Sequence, residues 1–255
     1  MDLRERVLAG DDAPRHPWER SRARVLGDLV SALAAAQPIR RALDVGAGDD
    51  WLARSFVPIL RHHGAPDATV TCWDVHYTPE DLARPAAEGI VRTATEPAEP
   101  AGDFDLVTAL DVIEHVADDD VFVRDQIAAK LTPGGRALIS VPAYQALFAD
   151  HDRMLGHHRR YRPAQLRAVV GAHLDVVEWG SFFTTLLIPR AAQVVLERLG
   201  RHGDRRGVGE WTGGPRLTTA IERVLDADAT AGRRLHRSGI RVPGLSAWLI
   251  ARRAR

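Results

Sequence analysis

The tract Asp111-Val-Ile-Glu-His-Val116 places an aspartate, a glutamate and a histidine within five residues. Histidine, with an ordinary pKa of about 6.5, is the side chain best suited to take a proton from a hydroxyl near neutral pH. His115 is therefore the first candidate for a general base. A second concentration lies in Ala149 to Arg162, ADHDRMLGHHRRYR, with three histidines and four arginines. From it His151 and His157 join His115 as candidate catalytic residues, with His158 a further alternative. Arg159, Arg160 and Tyr161 are candidate substrate-binding residues, because paired guanidiniums grip carboxylate or phosphate bidentately. On a helix Asp111, Glu114 and His115 fall at i, i+3 and i+4 and share one face. That arrangement could ligate a divalent ion, with His151 or Asp152 as a fourth group. The reading preferred here has Glu114 capping the helix start and His115 hydrogen bonding, and no metal is expected.

The element that must position this chemistry is Arg41 to Trp51, RALDVGAGDDW. A short apolar run containing Asp44 is followed at once by Gly46 and Gly48. Leu52, Phe56, Ile59 and Leu60 then recur at helical spacing. A strand, a tight glycine turn and a helix result, and glycine there permits positive φ and close approach of a ligand. A dinucleotide turn would place a third glycine where this chain has Trp51, which argues against NAD. Further on, Ala68 to Trp73 reads as a second strand ending at Asp74. An acid at that strand end can accept hydrogen bonds from ribose hydroxyls.

Asp44, Gly46 and Gly48 resemble the glycine loop of class I S-adenosylmethionine-dependent methyltransferases, which carries an acid two places before the first glycine. The order of a strand over Phe104 to Leu110, the Glu-His-Val tract, a helix to Leu131, Thr132-Pro-Gly-Gly135 and a strand over Ala137 to Val141 is similar to the second half of that family's core. The Gly-His-x-Arg-Arg-Tyr tract is similar to one in uncharacterised bacterial members. The resemblance implies S-adenosylmethionine as cofactor, held by Asp44, Gly46, Ala47, Gly48, Asp74, Val75, Asp111 and Val112. One departure is Asp50, where the family often has a third glycine; aspartate tolerates left-handed backbone better than most residues.

The chain of 255 residues suits one large α/β domain. Lys and Arg total 34 against 34 Asp and Glu, so no global field recruits nucleic acid or an anionic membrane. The lone cysteine, Cys72, forbids an internal disulfide and fits a reducing compartment. The charged N-terminus is unlike a secretory signal. Pro189, Arg190 and Glu197 interrupt the most apolar long stretch, so no membrane span is expected, and the expected location is cytoplasmic.

The expected architecture is Rossmann-like. Seven mostly parallel strands carry helices on both faces, and the last strand is antiparallel. The single domain divides into an N-terminal arm and helix (1–38), a cofactor-binding core (39–183), a helical cap insertion (184–244) and the last strand (245–255). The first helix should run from Trp18 with Val25, Leu29, Ala32 and Ala36 on its inner face. Strands are expected over 89–93, 174–183 and 245–251, and cap helices over 184–199 and 216–237. These readings predict methyl transfer to an O or N atom of a small anionic or sugar-like metabolite. The alternatives are an RNA or protein methyltransferase, or a cofactor-binding module that has lost transfer.

Overall fold

A computed structural model describes residues 15–97, 102–200 and 211–254. Most of the stretch between the two expected cap helices, 201–210, therefore lies outside the described residues, as does most of the N-terminal arm. In order the elements are α1 (Pro17–Ala36), β1 (Arg41–Val45), α2 (Trp51–His62), β2 (Thr69–Trp73), α3 (Pro79–Ala83), β3 (Ile90–Thr93) and β4 (Phe104–Leu110). There follow α4 (Asp119–Phe122), β5 (Leu131–Pro142), α5 (Asp150–Leu155), α6 (Pro163–Gly171) and β6 (Asp175–Phe182). Two long helices, α7 (Leu187–Arg198) and α8 (Pro215–Arg237), precede β7 (Ser246–Arg252).

The seven strands form one sheet in the order β3-β2-β1-β4-β5-β7-β6. All pairs from β3 to β5 are parallel, and β7 runs antiparallel to both β5 and β6. The expected Rossmann-like architecture is thus the one observed. Strand alternation distributes the core between two faces. Ala42, Leu106, Trp248 and Ile250 lie in the core shared with α1, α2 and α8, whereas Leu43, Val45, Val107 and Leu249 lie with Ile113, Ile127, Leu166 and Val170 on the other side. Each such fully buried side chain contributes about 2 kcal/mol of transfer free energy.

Three local expectations are corrected. The continuous helix expected from the Glu-His-Val tract to Leu131 is instead a 3-10 turn (Ile113–His115), the single turn of α4 and a π turn (Val123–Ala128). The break has a cause in the sequence. Asp118 accepts from the Val121 N–H at 3.1 Å and caps α4, so its side chain competes for backbone that a through-helix would use. Strand β5 also begins earlier than expected and takes in the Thr-Pro-Gly-Gly tract. In α1 the buried stripe is Val25, Leu26, Leu29, Val30 and Leu33, and Ala32 and Ala36 are exposed. Alanine loses little on facing water, so the larger residues decide the rotation.

Asp50, the departure from the glycine pattern, takes the left-handed conformation a glycine would, with φ 54°. Its buried carboxylate pairs with Arg92 of β3 at 2.5 Å and with Arg54 at 2.6 Å. The side chain thus staples the turn to the sheet. Replacing Asp50 by Ala leaves Arg92 its bonds to the Asp81 and Arg84 carbonyls but no carboxylate there, keeps an unfavourable φ, and is expected to cost about 3 kcal/mol. Asp50→Gly should recover about 1 kcal/mol of that by relieving φ alone. Urea midpoints of the three proteins, at unchanged slope, check both values.

Candidate functional site

One cavity of about 810 Å³ opens at the carboxyl ends of β1, β2, β4 and β5. Its first half is built on the glycine loop. Gly46 and Ala47 donate their N–H groups to the Trp73 carbonyl at 2.8 and 3.2 Å, and Gly48 donates to Asp74 Oδ2 at 2.9 Å. The other Asp74 oxygen accepts from the His76 N–H at 2.9 Å. Gly46 is required twice over. Its φ is +65°, and a Cβ there would meet Val112 Cγ2 at 2.6 Å. Asp44 lies buried behind the loop, accepting from Thr108 Oγ1 at 2.5 Å. Burial pushes its carboxyl up to about 6 against the opposing pull of that bond.

Helix α1 forms the wall opposite the loop, with Trp18, Glu19 and Arg22 on the cavity. Arg22 reaches across to Asp111 Oδ2 at 2.9 Å and donates to Ser140 Oγ at 3.1 Å, while Ser140 donates to Asp111 Oδ1 at 3.2 Å. Asp111 holds a left-handed φ of 61° at the end of β4. It therefore does not share a helical face with Glu114 and His115, contrary to expectation. Trp18 Nε1 and Arg22 Nε are buried donors with no protein partner. Arg22 and Trp18 escaped sequence reasoning. Their one signal is spacing, four residues apart on the expected first helix.

The second half of the cavity collects Glu114, His115 and His157. One donor atom from each lies within 4.8 Å of the other two, and the two imidazoles meet edge to face with ring centres 4.5 Å apart. Glu114 is fully buried, and neither carboxylate oxygen has a hydrogen-bond partner. Burial, and then the neighbouring Asp111, push its carboxyl well above the ordinary range. Apolar residues line the same cavity, among them Val116, Phe122, Leu155, Leu186 and Leu225.

All eight residues expected to hold the cofactor line this cavity, as do His115, His151 and His157. The arginine tract divides. Arg160 lines the cavity but gives its Nε to Asp152 Oδ1 at 2.8 Å. Arg159 lies outside the lining and holds the Ala117 carbonyl at 2.6 Å and Asp119 at 2.9 Å. Tyr161 also lies outside it and donates to Asp119 Oδ2 at 2.7 Å. Both side chains brace the turn that carries His115. The tract returns to the site because it pairs with the end of β5, Tyr161 N–H donating to the Pro142 carbonyl at 3.0 Å.

A family model described as a methyltransferase domain matches residues 18–185. Over 165 residues the chain is 27% identical to a ubiquinone biosynthesis O-methyltransferase of Vibrio parahaemolyticus, covering 55% of this chain and 65% of that protein. Over 141 residues it is 30% identical to the enzyme of the same name from Escherichia coli, covering 52% and 54%. The match thus spans less than two thirds of either relative. Among solved structures it is similar to the N-methyltransferase NodS of Bradyrhizobium japonicum in complex with S-adenosyl-L-homocysteine (TM-score 0.55, 17% identity, 99% and 96% covered). It is also similar to the [4+2]-cyclase SpnF (TM-score 0.57, 18% identity, 99% and 91% covered). These two show the fold.

His151 offers a pH test of the site. Burial, then Arg190, lower its imidazole to about 4 from an ordinary 6.5. The folded protein thus binds fewer protons than the unfolded chain between these values, so stability falls as pH drops from about 6.5 to 4. Relative to His151→Gln, the wild type should lose on the order of 2 kcal/mol across that window. Urea midpoints of both proteins between pH 4 and 8 measure it.

Proposed function

Because the chain belongs to the methyltransferase-domain family, we propose that it transfers a methyl group from S-adenosylmethionine to a hydroxyl oxygen of a small molecule. The observation that carries this reading is one continuous cavity, with the glycine loop and Asp74 at one end and the Glu114, His115 and His157 cluster at the other. At the loop end, Gly46, Ala47 and Gly48 offer close backbone approach and Asp74 offers oxygens to the ribose. Asp44, Val75, Asp111 and Val112 complete that wall. Arg22 is the cation placed to take the methionine carboxylate, exchanging Asp111 for it.

The bound cofactor supplies a sulfonium whose methyl is electrophilic. What the protein adds is alignment of the acceptor and removal of its proton. His151, whose imidazole is lowered to about 4, is too weak a base for that near neutrality. We assign the proton to the His115 and His157 pair. We propose no metal for the cluster, since the acid expected to complete a ligand set, Asp111, is held by Arg22.

The arginines that suggested an anionic or sugar-like acceptor are spent on Asp119 and Asp152, and the cavity that holds the cluster also has apolar lining, Val116, Phe122 and Leu155 among it. The acceptor is therefore proposed to be a hydroxyl-bearing molecule with an apolar body. The O-methyltransferase names of the two bacterial relatives support a hydroxyl as the methylated group. Residues 184–244 are proposed as the cap over this half. Helix α8 docks there on α1 through Ser21 and Asp226 at 2.5 Å and through Arg24, Glu222 and Asp226. No nucleic-acid partner is proposed. Among the described residues no helix is long and apolar enough to cross a membrane.

Isothermal titration with S-adenosylmethionine and S-adenosylhomocysteine should give micromolar binding. Asp74→Ala and Arg22→Ala are each expected to weaken it tenfold or more, and His115→Ala to leave it within twofold. Absence of binding by the wild type would sink the reading. Binding without turnover on any hydroxylated acceptor would favour a module that has lost transfer.

A further inference from the structure

Asp152 has no assigned role, yet its side chain is completely buried and carries four interactions. Oδ1 accepts from Arg160 Nε at 2.8 Å and faces His157 Nδ1 at 3.0 Å. Oδ2 accepts from the Ala149 N–H at 2.9 Å and from Arg190 Nη2 at 2.6 Å. The partners converge from three places: the start of α5, the tract after Gly156, and the cap helix α7. Gly156, with φ 80°, turns the chain back so that His157 returns onto Asp152, and the His157 N–H also donates to the Asp152 carbonyl at 2.9 Å.

A carboxylate in this setting has one chemical state. Burial would raise its proton affinity, but the bonds from His157 and Arg160 outweigh that and hold it well below the ordinary range. An ionised carboxylate accepts only, so His157 Nδ1 must be the donor of their bond. In the neutral ring the lone pair is then on Nε2. His157 lines the cavity beside His115 and Glu114, and with Nδ1 committed, Nε2 is the nitrogen left for a ligand.

We propose that Asp152 is a positioning residue that fixes His157 as the Nδ1–H tautomer, so that Nε2 receives the proton of the acceptor hydroxyl. The inference rests on the methyl-transfer reading and deepens it. In the step, the acceptor O–H bond breaks and an Nε2–H bond forms. The oxygen forms its bond to the methyl carbon as the carbon–sulfur bond breaks, and that electron pair stays on sulfur as a neutral thioether. Asp152 keeps its charge throughout and faces the imidazolium. The proton leaves later to solvent. Arg190 places the cap on the same carboxylate, so the seating of α7 and the orientation of His157 share one anchor.

The test needs neither acceptor nor cofactor. Long-range nitrogen–proton correlation spectra of the full chain labelled with ¹⁵N-histidine, assigned with His157→Gln, report which ring nitrogen carries the proton at pH 8. The expected result is Nδ1–H for His157 in the wild type, lost to Nε2–H or a mixture in Asp152→Asn. An Nε2–H ring in the wild type overturns the proposal whatever the variant does. So does an unchanged Nδ1–H ring in Asp152→Asn that remains folded by circular dichroism. Manganese(II) binding to the wild type that Glu114→Gln abolishes would also overturn it, by making Nε2 a metal ligand. S-adenosylmethionine affinity, measured in parallel, should differ less than twofold between wild type and Asp152→Asn. Failure of the wild type to bind would count against the methyl-transfer reading, while the spectra still decide the tautomer. With an acceptor in hand, Asp152→Asn should lower kcat about 100-fold at nearly constant KM.

Discussion

The site depends on the parallel pairing of β1 with both β2 and β4. Val45 is level with Trp73 on one side and with Ala109 on the other, so Gly46, Asp74 and the turn at Asp111 all leave the sheet in one layer. From β1 the chain works outward through β2 to β3, and from β4 it works outward the other way. Connections that depart in opposite directions leave a crevice between them at the carboxyl edge, where ligands of open α/β sheets sit. The register is strongly fixed because a one-residue slip would exchange the faces of Ala42 and Leu43, each buried against a different helical layer. Cofactor geometry here is thus a consequence of core packing.

Three buried carboxyl groups show how the edge of that crevice is divided between structure and chemistry. Asp50 and Asp152 are each ion-paired with two arginines, and each ties a loop to an element distant in sequence. Removing a partner from either would leave an uncompensated buried charge, a cost of several kcal/mol. Glu114 is equally buried and has neither oxygen bonded. An ionised carboxylate cannot persist that way, so the group takes up a proton more readily than an ordinary acid, as its upward shift records. The two ion-paired groups hold the framework, whereas the bare group is a polar site for a ligand to complete.

What the sequence discloses follows the range over which each feature is determined. The glycine loop and the acid at the end of β2 are local patterns whose partners lie one strand away. All the expected cofactor residues accordingly line the cavity. Arg22 meets Asp111 from 89 positions away, through the seating of α1, and no local pattern carries that. The arginine tract misleads for a simpler reason. In extended chain alternate side chains face opposite ways, so Arg159 and Tyr161 brace the turn at Asp119 while Arg160 turns to Asp152. A run of like residues read as one patch is here two surfaces. The helix expected after His115 fails at Asp118 because a capping side chain there outcompetes a periodicity that continues through it.

The two halves of the cavity are also built by different means, which bears on how specificity arises on this fold. The loop half consists of a glycine turn whose N–H groups bond to Trp73 and Asp74, a strand-end acid and a helix-borne arginine, all tied to the sheet. The far half is assembled from the 3-10 turn at Ile113–His115, the returning tract around His157 and the cap helices. Its polar groups share a cavity with apolar lining, and where water is excluded an unmatched donor or acceptor on a ligand is costly and a matched one discriminates. The proposed acceptor would bring a hydroxyl to His157 and an apolar body to the lining of the same cavity. A charged acceptor would find its natural partners, Arg160 and Arg190, already committed to Asp152. On the proposed reading, selection against it comes from the same carboxylate that holds His157.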